Sequence, residues 1–569
     1  LRNAFVWDDI ILIGSPEITT LDAPTMKRIF TTNFWDVSDA TSGMYRPLST
    51  LSFYADYQMH KAKPAGFHQT NIILNAAVSG VTFLALLEMF AQPVLALVAA
   101  LLFTVSPIHV ENVAWVSGRT DIIATLFALL TIWFYARWRN RGGVMNAAAS
   151  LVAFVLALLS KEIAVVVPAV IAVYELSPRA AVKPEEKTAR PWSVLIAMCV
   201  LLAAYFAVRR ALLGSSLGAL PRMTHGFSQA VAFSLSVIAH YAYKLVFPFR
   251  LNPTPEFPPP ANFFNLHTLV GIAVVGLIVV SVIRWKQHRA FMFGMAVIVC
   301  GLLPVLHIVP ANQVLAERFL YFPSFGYALL VALAMTYLMQ RRKSAAMVAV
   351  GIFLLACSVR TVTGTVVWKD EMTLFGKAVQ LSPNSPTANF DFGVTLAQQG
   401  KLEDALVYLR RATEISPNYA DAWSAMGRAE DKLGQHAAGL EHCARAVQIA
   451  PDEVRFLNDL GTMQFQAQKY ADSAESFRRL LELRPRHTYA RFNLGLALYQ
   501  QRDFPGAIRE LNELPNKDED FPVAWFFLAE SLLRTGSHDE AANAARRFLS
   551  VHAADDEMAA RAKEIAGGK

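Results

Sequence analysis

Cysteine is scarce in this chain. The four residues Cys199, Cys300, Cys357 and Cys443 lie far apart in 569 positions, three of them inside apolar runs. A free cysteine behaves there as a small apolar side chain, so neither a disulfide framework nor a cysteine metal site is indicated. A usable N-glycosylation acceptor is also missing. The single Asn-x-Ser/Thr triplet, Asn252-Pro253-Thr254, carries the proline that forbids modification, which favours a bacterial protein. The net charge of +7 has no nucleic-acid motif beside it. The chain opens on Leu1 with no signal segment, so a further N-terminal piece is expected to precede it. Charged residues make up 17% of the chain against 54% hydrophobic, and the mean hydropathy of +0.34 excludes an ordinary soluble protein.

The apolar residues concentrate between 69 and 366, whereas 383–569 reads as charged, soluble helix. The expected fold class is all-α: a polytopic membrane helix bundle followed by an α-solenoid of repeats. Ten segments are apolar enough to span: 69–90, 93–106, 120–136, 144–160, 162–178, 193–213, 267–284, 290–308, 319–339 and 344–366. Several are shorter than the ~20 residues a bilayer core wants. The basic residues fall in 137–141, 179–190, 284–286 and 341–343, on alternate crossings. One orientation therefore puts all four loops in the cytoplasm. The same count places 1–68, 107–119, the turn at 160–161, 214–266, 309–318 and the tail on the far side. Residues 228–248 would invert that count if they crossed. His240, Tyr241, Tyr243 and Lys244 make this segment amphipathic, so it is expected to lie in the interface plane. The prolines at 253, 255, 258, 259 and 260 stiffen the loop after it.

Ionisable groups at the ends of apolar spans are costly and are functional candidates by default. Here they gather on the far side: Asp8-Asp9, Tyr45-Arg46-Pro47, Phe67-His68, the 106–121 loop with His109, Glu111, Arg119 and Asp121, then Lys161-Glu162, and Glu317-Arg318 followed by Tyr321. Each has a structural alternative. Glu317-Arg318 could be a helix-capping salt bridge, Lys161-Glu162 a tight turn, His109 a hydrogen-bonded core histidine, and Asp8-Asp9 a solvated pair. The convergence of these clusters on one membrane face favours a site.

The motifs Phe5-Val6-Trp7-Asp8-Asp9, Tyr45-Arg46-Pro47-Leu48, Ser106-Pro107-Ile108-His109-Val110-Glu111, Gly118-Arg119-Thr120-Asp121, Leu159-Ser160-Lys161-Glu162 and Ala316-Glu317-Arg318-Phe319-Leu320-Tyr321 resemble the TMTC family, transmembrane proteins with tetratricopeptide repeats. The resemblance covers essentially the whole chain and implies a GT-C glycosyltransferase fold. It implies an inverting protein O-mannosyltransferase using a polyprenyl-phosphate sugar, with an acidic pair in the first lumenal loop and no metal or other cofactor. The family has a span before that loop, so the first helix is expected to be missing here.

Transfer from a lipid phosphate to a Ser or Thr hydroxyl needs a carboxylate to take the hydroxyl proton and cations to hold the leaving phosphate. Asp8 or Asp9 would be the base. Arg46, Arg119, Lys161 and Arg318 are candidate phosphate holders. His68, His109, Glu111, Asp121, Glu162, Glu317 and Tyr321 are candidate orienting groups. Direct displacement with a single carboxylate base would invert the anomeric carbon.

From residue 386 the sequence repeats every 34 residues, the tetratricopeptide period. A small residue recurs as Gly393, Gly427, Gly461, Gly495 and Ala529, each after a large apolar one, and units close at Pro417, Pro451 and Pro485. A half unit with Trp368 and Phe375 ends at Pro383. The expected domains are a first extracytoplasmic loop 1–68, a membrane body 69–366, a repeat domain 367–551 and a capping helix with tail 552–569. The concave face of such an array binds extended peptide or protein. Repeats joined closely to the last span would hold acceptor near the acidic pair and raise its effective concentration. The expected partners are thus a polyprenyl-phosphate sugar donor, a protein acceptor and the bilayer, with no nucleic acid. The expected location is a bacterial inner membrane with periplasmic repeats, or an endoplasmic reticulum membrane with lumenal repeats in a eukaryote. The competing readings are a non-enzymatic repeat scaffold and a transporter. A transporter wants midplane charges and internal symmetry, which the sequence lacks.

Overall fold

The computed structural model describes residues 3–20, 22–34, 44–178, 191–214, 226–257, 263–306, 315–552, 554 and 556–567. The basic loop 179–190 and the prolines at 258, 259 and 260 lie outside the described residues. Among those described, all regular structure is helical. The chain divides into two compact units, Leu1–Ser382 and Pro383–Lys569.

In the first unit the N-terminal segment is folded rather than an open loop. Short helices Asp9–Ile13, Pro16–Thr19 and Ala23–Thr31 precede Pro47–His60, and Leu12, Ile13, Ile18, Phe34, Phe53 and Phe67 form a small core with Val116. Asp22 caps Ala23–Thr31 by accepting from the Thr25 amide at 2.7 Å, the arrangement that satisfies an orphan donor at a helix start.

Among the described residues six helices are long and apolar enough to cross a membrane: Pro64–Phe90, Val116–Arg141, Trp192–Leu213, Leu266–Trp285, Glu317–Arg341 and Lys343–Trp368. The pair Pro93–Thr104 and Pro107–Ala114, bent by 43°, would be a seventh. The other three of the ten expected spans form shorter helices. Val144–Leu158 has 15 residues and Val167–Leu176 has 10, about 22 and 15 Å at the helical rise against a core of about 30 Å. The polar break at Ser160-Lys161-Glu162 separates them, and Glu162–Val166 is wound as a 3-10 turn. The tenth, Arg289–Val305, also falls among the shorter apolar helices. The chain is a multi-pass membrane protein.

Small residues bring two of these helices together. A Cβ on Gly326 would lie 2.4 Å from the Gly294 carbonyl oxygen, a contact only glycine permits and typical of helix packing in lipid. The charges divide between the helix ends. Arg139 pairs with Glu175 at 3.2 Å, Arg141 with Glu88 at 2.7 Å, and the Arg289 guanidinium lies 3.6 Å from the Tyr174 ring centroid. Arg119, at the other end of the same helix as Arg139, belongs to a second set of polar residues. The helix Phe227–Val246 is not among the candidate spans. It crosses Leu266–Trp285 closely, with Ser236 Oγ 2.9 Å from Thr268 Oγ1.

The second unit is a run of helix pairs from Pro386–Gln398 with Leu402–Ile415 to Pro522–Arg534 with His538–Val551, closed by Glu557–Ala566. The recurring glycines admit the partner helix: a Cβ on Gly495 would meet Leu511 Cδ2 at 2.6 Å. The turn within each pair uses a left-handed residue at one repeat position, Gly400, Gly434, Gln468, Arg502 and Gly536, with φ between +60° and +84°. Glu371–Leu381, which the repeat period makes half a unit, groups with the membrane unit.

Candidate active site

The turn that follows the bent helix pair organises the polar residues. Gly118 sits where a Cβ would fall 2.7 Å from the Asn112 carbonyl oxygen, so glycine alone lets the turn close. The closed turn aims its donors at Asp9. Asp9 Oδ1 accepts from the Ser117 amide at 2.9 Å and from Ser117 Oγ at 2.7 Å. Oδ2 accepts from the amides of Val116 and Val6, each at 3.3 Å. Asp9 is wholly buried. Burial pushes its carboxyl up to about 7, against the pull of these donors.

Asp8 has the opposite environment. It is half-buried, and among the described residues no donor bonds its carboxylate. Burial raises its pKa, and the positive charge of Arg318 opposes that rise. The two neighbouring acids are thereby told apart: Asp9 ties the N-terminal segment to the 116–118 turn, and Asp8 carries a carboxylate that no donor among the described residues bonds.

Asp8 follows Trp7, whose φ of +59° is left-handed, a conformation that costs a bulky L-residue roughly 1–3 kcal/mol. Surrounding contacts hold it there. The Trp7 amide donates to Glu371 Oε1 at 3.0 Å, its ring stacks on Trp115 at 5.3 Å, and Phe375 meets it edge-on at 5.9 Å. Trp115 stacks in turn on Trp368 at 6.4 Å.

Arg318 lies among these rings, 5.0 Å from the Trp115 centroid, 5.3 Å from Phe319 and 6.0 Å from Trp7. Its guanidinium pairs with Glu111, which also accepts from the Arg318 amide at 3.0 Å. Lys161 Nζ bonds Asp121 at 2.7 Å and lies 5.7 Å from the same Phe319 ring. Burial lowers the Lys161 amine to about 8; Asp121 opposes this, and the charges of Arg46 and Arg318 add to it. Arg46 chelates Glu162 Oε2 through Nε at 3.2 Å and Nη2 at 2.9 Å. Arg209 approaches the other oxygen of Glu162 at 3.9 Å. The helix Pro47–His60 is pinned to this turn by Leu48 N–H to the Leu159 carbonyl at 3.1 Å and Ser49 Oγ to the Ser160 carbonyl at 3.0 Å. Four cations (Arg46, Lys161, Arg209, Arg318) thus meet three carboxylates (Glu111, Asp121, Glu162). Each of the four cations keeps 5–13% side-chain exposure.

Several expected members stand elsewhere. Arg119, a candidate phosphate holder by sequence, is a wholly buried strut. Its guanidinium donates to Asn71 at 2.7 Å, Asp56 at 2.5 Å and the carbonyls of Phe67 at 2.9 Å and Ser52 at 3.2 Å, so four of its five N–H donors are committed to the protein. Removing Asp56 would strand this charge at a cost of about 3–5 kcal/mol. His109 bonds Ser324 Oγ at 2.8 Å between the rings of Phe103 and Tyr321, which makes it a core histidine. The Tyr321 hydroxyl is spent on Asn75 at 2.6 Å. Glu317 pairs with Lys244 at 2.7 Å and accepts from the Asn252 amide at 2.9 Å, fastening the 250–252 loop rather than capping its own helix with Arg318. His68 is buried at the start of the first long helix. Sequence reasoning missed Arg209, Trp7, Trp115 and Glu371. Arg209 ends an apolar helix and carried the same signal as Arg318; the aromatic pair and Glu371 become neighbours only through tertiary contacts.

Residues 51–363 match the family described as 6-pyruvoyl-tetrahydropterin synthase related domain, membrane protein. Residues 393–434 and 458–520 match tetratricopeptide repeat families. The chain is similar to the human protein O-mannosyl-transferase TMTC3, at 26% identity over 71% of this chain and 48% of that protein. It is also similar to the Caenorhabditis elegans protein O-mannosyl-transferase F38B6.6, at 26% identity over 71% of this chain and 59% of that one. The chain spans about half the length of the curated relatives it matches. Among solved structures it is similar to YrrB, a TPR protein with an unusual peptide-binding site, at 18% identity over 33% of this chain and 97% of that one, with a TM-score of 0.31.

Proposed function

The chain belongs to the TMTC family of transmembrane and tetratricopeptide-repeat proteins, its membrane part to the 6-pyruvoyl-tetrahydropterin synthase related family, and from that premise we propose that it is a membrane glycosyltransferase of GT-C type. It moves mannose from a polyprenyl phosphate to Ser or Thr hydroxyls of proteins. The observation that carries this reading is Asp8, a half-buried carboxylate with no hydrogen bond among the described residues, under the influence of Arg318.

In the proposed step Asp8 takes the proton of the acceptor hydroxyl as its oxygen forms a bond to the anomeric carbon. The bond from that carbon to the phosphate oxygen breaks, and its electron pair leaves with the polyprenyl phosphate. Displacement from the opposite face inverts the centre. Arg318, Lys161 and Arg46 neutralise the leaving phosphate, while Glu111, Asp121 and Glu162 keep them oriented in the resting site. No metal ion takes part in this proposal. Arg318, stacked and paired at once, is the cation for which lysine is the poorest replacement. The repeats bring the protein acceptor or a partner to the enzyme, and the proposed location is a bacterial inner membrane with the repeats in the periplasm.

The test is transfer of radiolabel from polyprenyl-phosphate mannose to acceptor protein by the purified chain in lipid. Label on protein is the expected result. Label from polyprenyl-phosphate glucose but not mannose would change the sugar; none from either would overturn the enzyme reading.

A further inference from the structure

We propose that Glu371 is a positioning residue for Asp8, holding the Trp7 amide so that the left-handed backbone at Trp7 aims the following carboxylate into the site. The inference rests on the reading of Asp8 as the base. Among the described residues no donor fixes the Asp8 carboxylate, so its place is set by the backbone that carries it. That backbone is stitched on both flanks. On one side the Ala4 amide donates to the Lys369 carbonyl at 2.9 Å and Asn3 Nδ2 to the Thr365 carbonyl at 3.3 Å. On the other, Asp9 takes its four donors from Val6, Val116 and Ser117.

Between the flanks stands Trp7, at φ +59°, where the chain returns to a right-handed conformation only by rotating the peptide on either side. Glu371 Oε1 holds its amide at 3.0 Å, and this bond is the polar restraint on that rotation; Trp115 and Phe375 restrain only the ring. Without the acceptor, a part-buried N–H is left unpaired, and turning Trp7 out of the left-handed region satisfies it with water. The same turn moves the carboxylate of Asp8, which the next peptide carries. Glu371 opens the helix Glu371–Leu381, capped by Asp370 through the Thr373 amide at 2.8 Å, so its carboxylate is presented from a rigid element.

The experiment compares full-length wild type with Glu371→Ala and Glu371→Gln in lipid. Gln keeps a carbonyl oxygen for the Trp7 amide; Ala does not. Two readouts are taken: kcat and KM for polyprenyl-phosphate mannose, and hydrogen exchange of the backbone amides of residues 5–9. The expected result for Glu371→Ala is a fall in kcat of about a hundredfold, the scale of a misplacement near 1 Å, with KM unchanged and exchange accelerated at Trp7. Glu371→Gln should stay close to wild type in both. Wild-type kcat and exchange in Glu371→Ala would overturn the proposal, as would a Glu371→Gln enzyme as impaired as Glu371→Ala. A wild type that transfers no sugar would overturn the reading of Asp8 itself, and the exchange data would separate that failure from absence of the hydrogen bond.

Discussion

Asp8 and Asp9 are the same residue type in adjacent positions, and their roles separate on who donates to them. Four donors and complete burial make Asp9 an anchor. Replacing it with Asn turns an –NH₂ toward N–H groups and leaves buried donors unpaired, at about 1–3 kcal/mol; a lower melting temperature of the Asp9→Asn protein checks this. Among the described residues no donor bonds the Asp8 carboxylate, and burial holds its pKa above the ordinary 3.8. A base works only when ionised, and lowering the pH protonates it. The rate of transfer should therefore fall on the acid side with a midpoint above 3.8, and measurement of kcat against pH checks it; a midpoint at or below that value would contradict the assignment. The acidic pair was legible in sequence, but its division was not, because three of the four donors to Asp9 come from Val116 and Ser117, more than a hundred positions away. Arg119 misled for the same reason. It reads like Arg318, a cation beside an acid at a span end, until Asp56 and Asn71 are seen to consume it.

At the scale of elements, legibility follows how local the signal is. The 34-residue period is written in every unit from 386 onward, so the helix pairs are legible there, whereas the half unit assigned to the repeats from 367 groups with the membrane unit. Span ends depend on where polar residues find partners. Lys161 finds Asp121, and the apolar stretch on either side of it breaks into helices too short to cross alone. The repeat turns carry a further consequence. Three of the five left-handed positions hold glycine, while Gln468 and Arg502 adopt φ of +60° and +65°. Their side chains strain the turn, so Gln468→Gly and Arg502→Gly should each stabilise the array by about 1 kcal/mol. Thermal unfolding of the two variants checks this; a lower melting temperature in both would show that these side chains earn their place by contacts.

Over the whole molecule, the chain joins a multi-pass helix bundle to a solenoid of repeats; apolar content drops near 383, where the two compact units divide, although the repeat domain was expected from 367. The site was legible as a set of span-end ions and not as an arrangement. Of the expected cations, Arg46, Lys161 and Arg318 come together with Glu162, Asp121 and Glu111, while Arg119, His109, Glu317 and Tyr321 serve the core. If protein cations alone hold the leaving phosphate, transfer should survive exhaustive chelation with less than about a twofold loss of rate, well below the loss expected on removing a catalytic metal. Abolition by chelator and rescue by a divalent ion would place a metal in the mechanism. The most direct test of the whole account is label transfer from polyprenyl-phosphate mannose by purified wild type, Asp8→Asn and Asp9→Asn, each normalised to folded protein. The account predicts that Asp8→Asn falls by about 10²–10⁴ while folded Asp9→Asn still transfers. Transfer that persists in Asp8→Asn and vanishes in folded Asp9→Asn would contradict it.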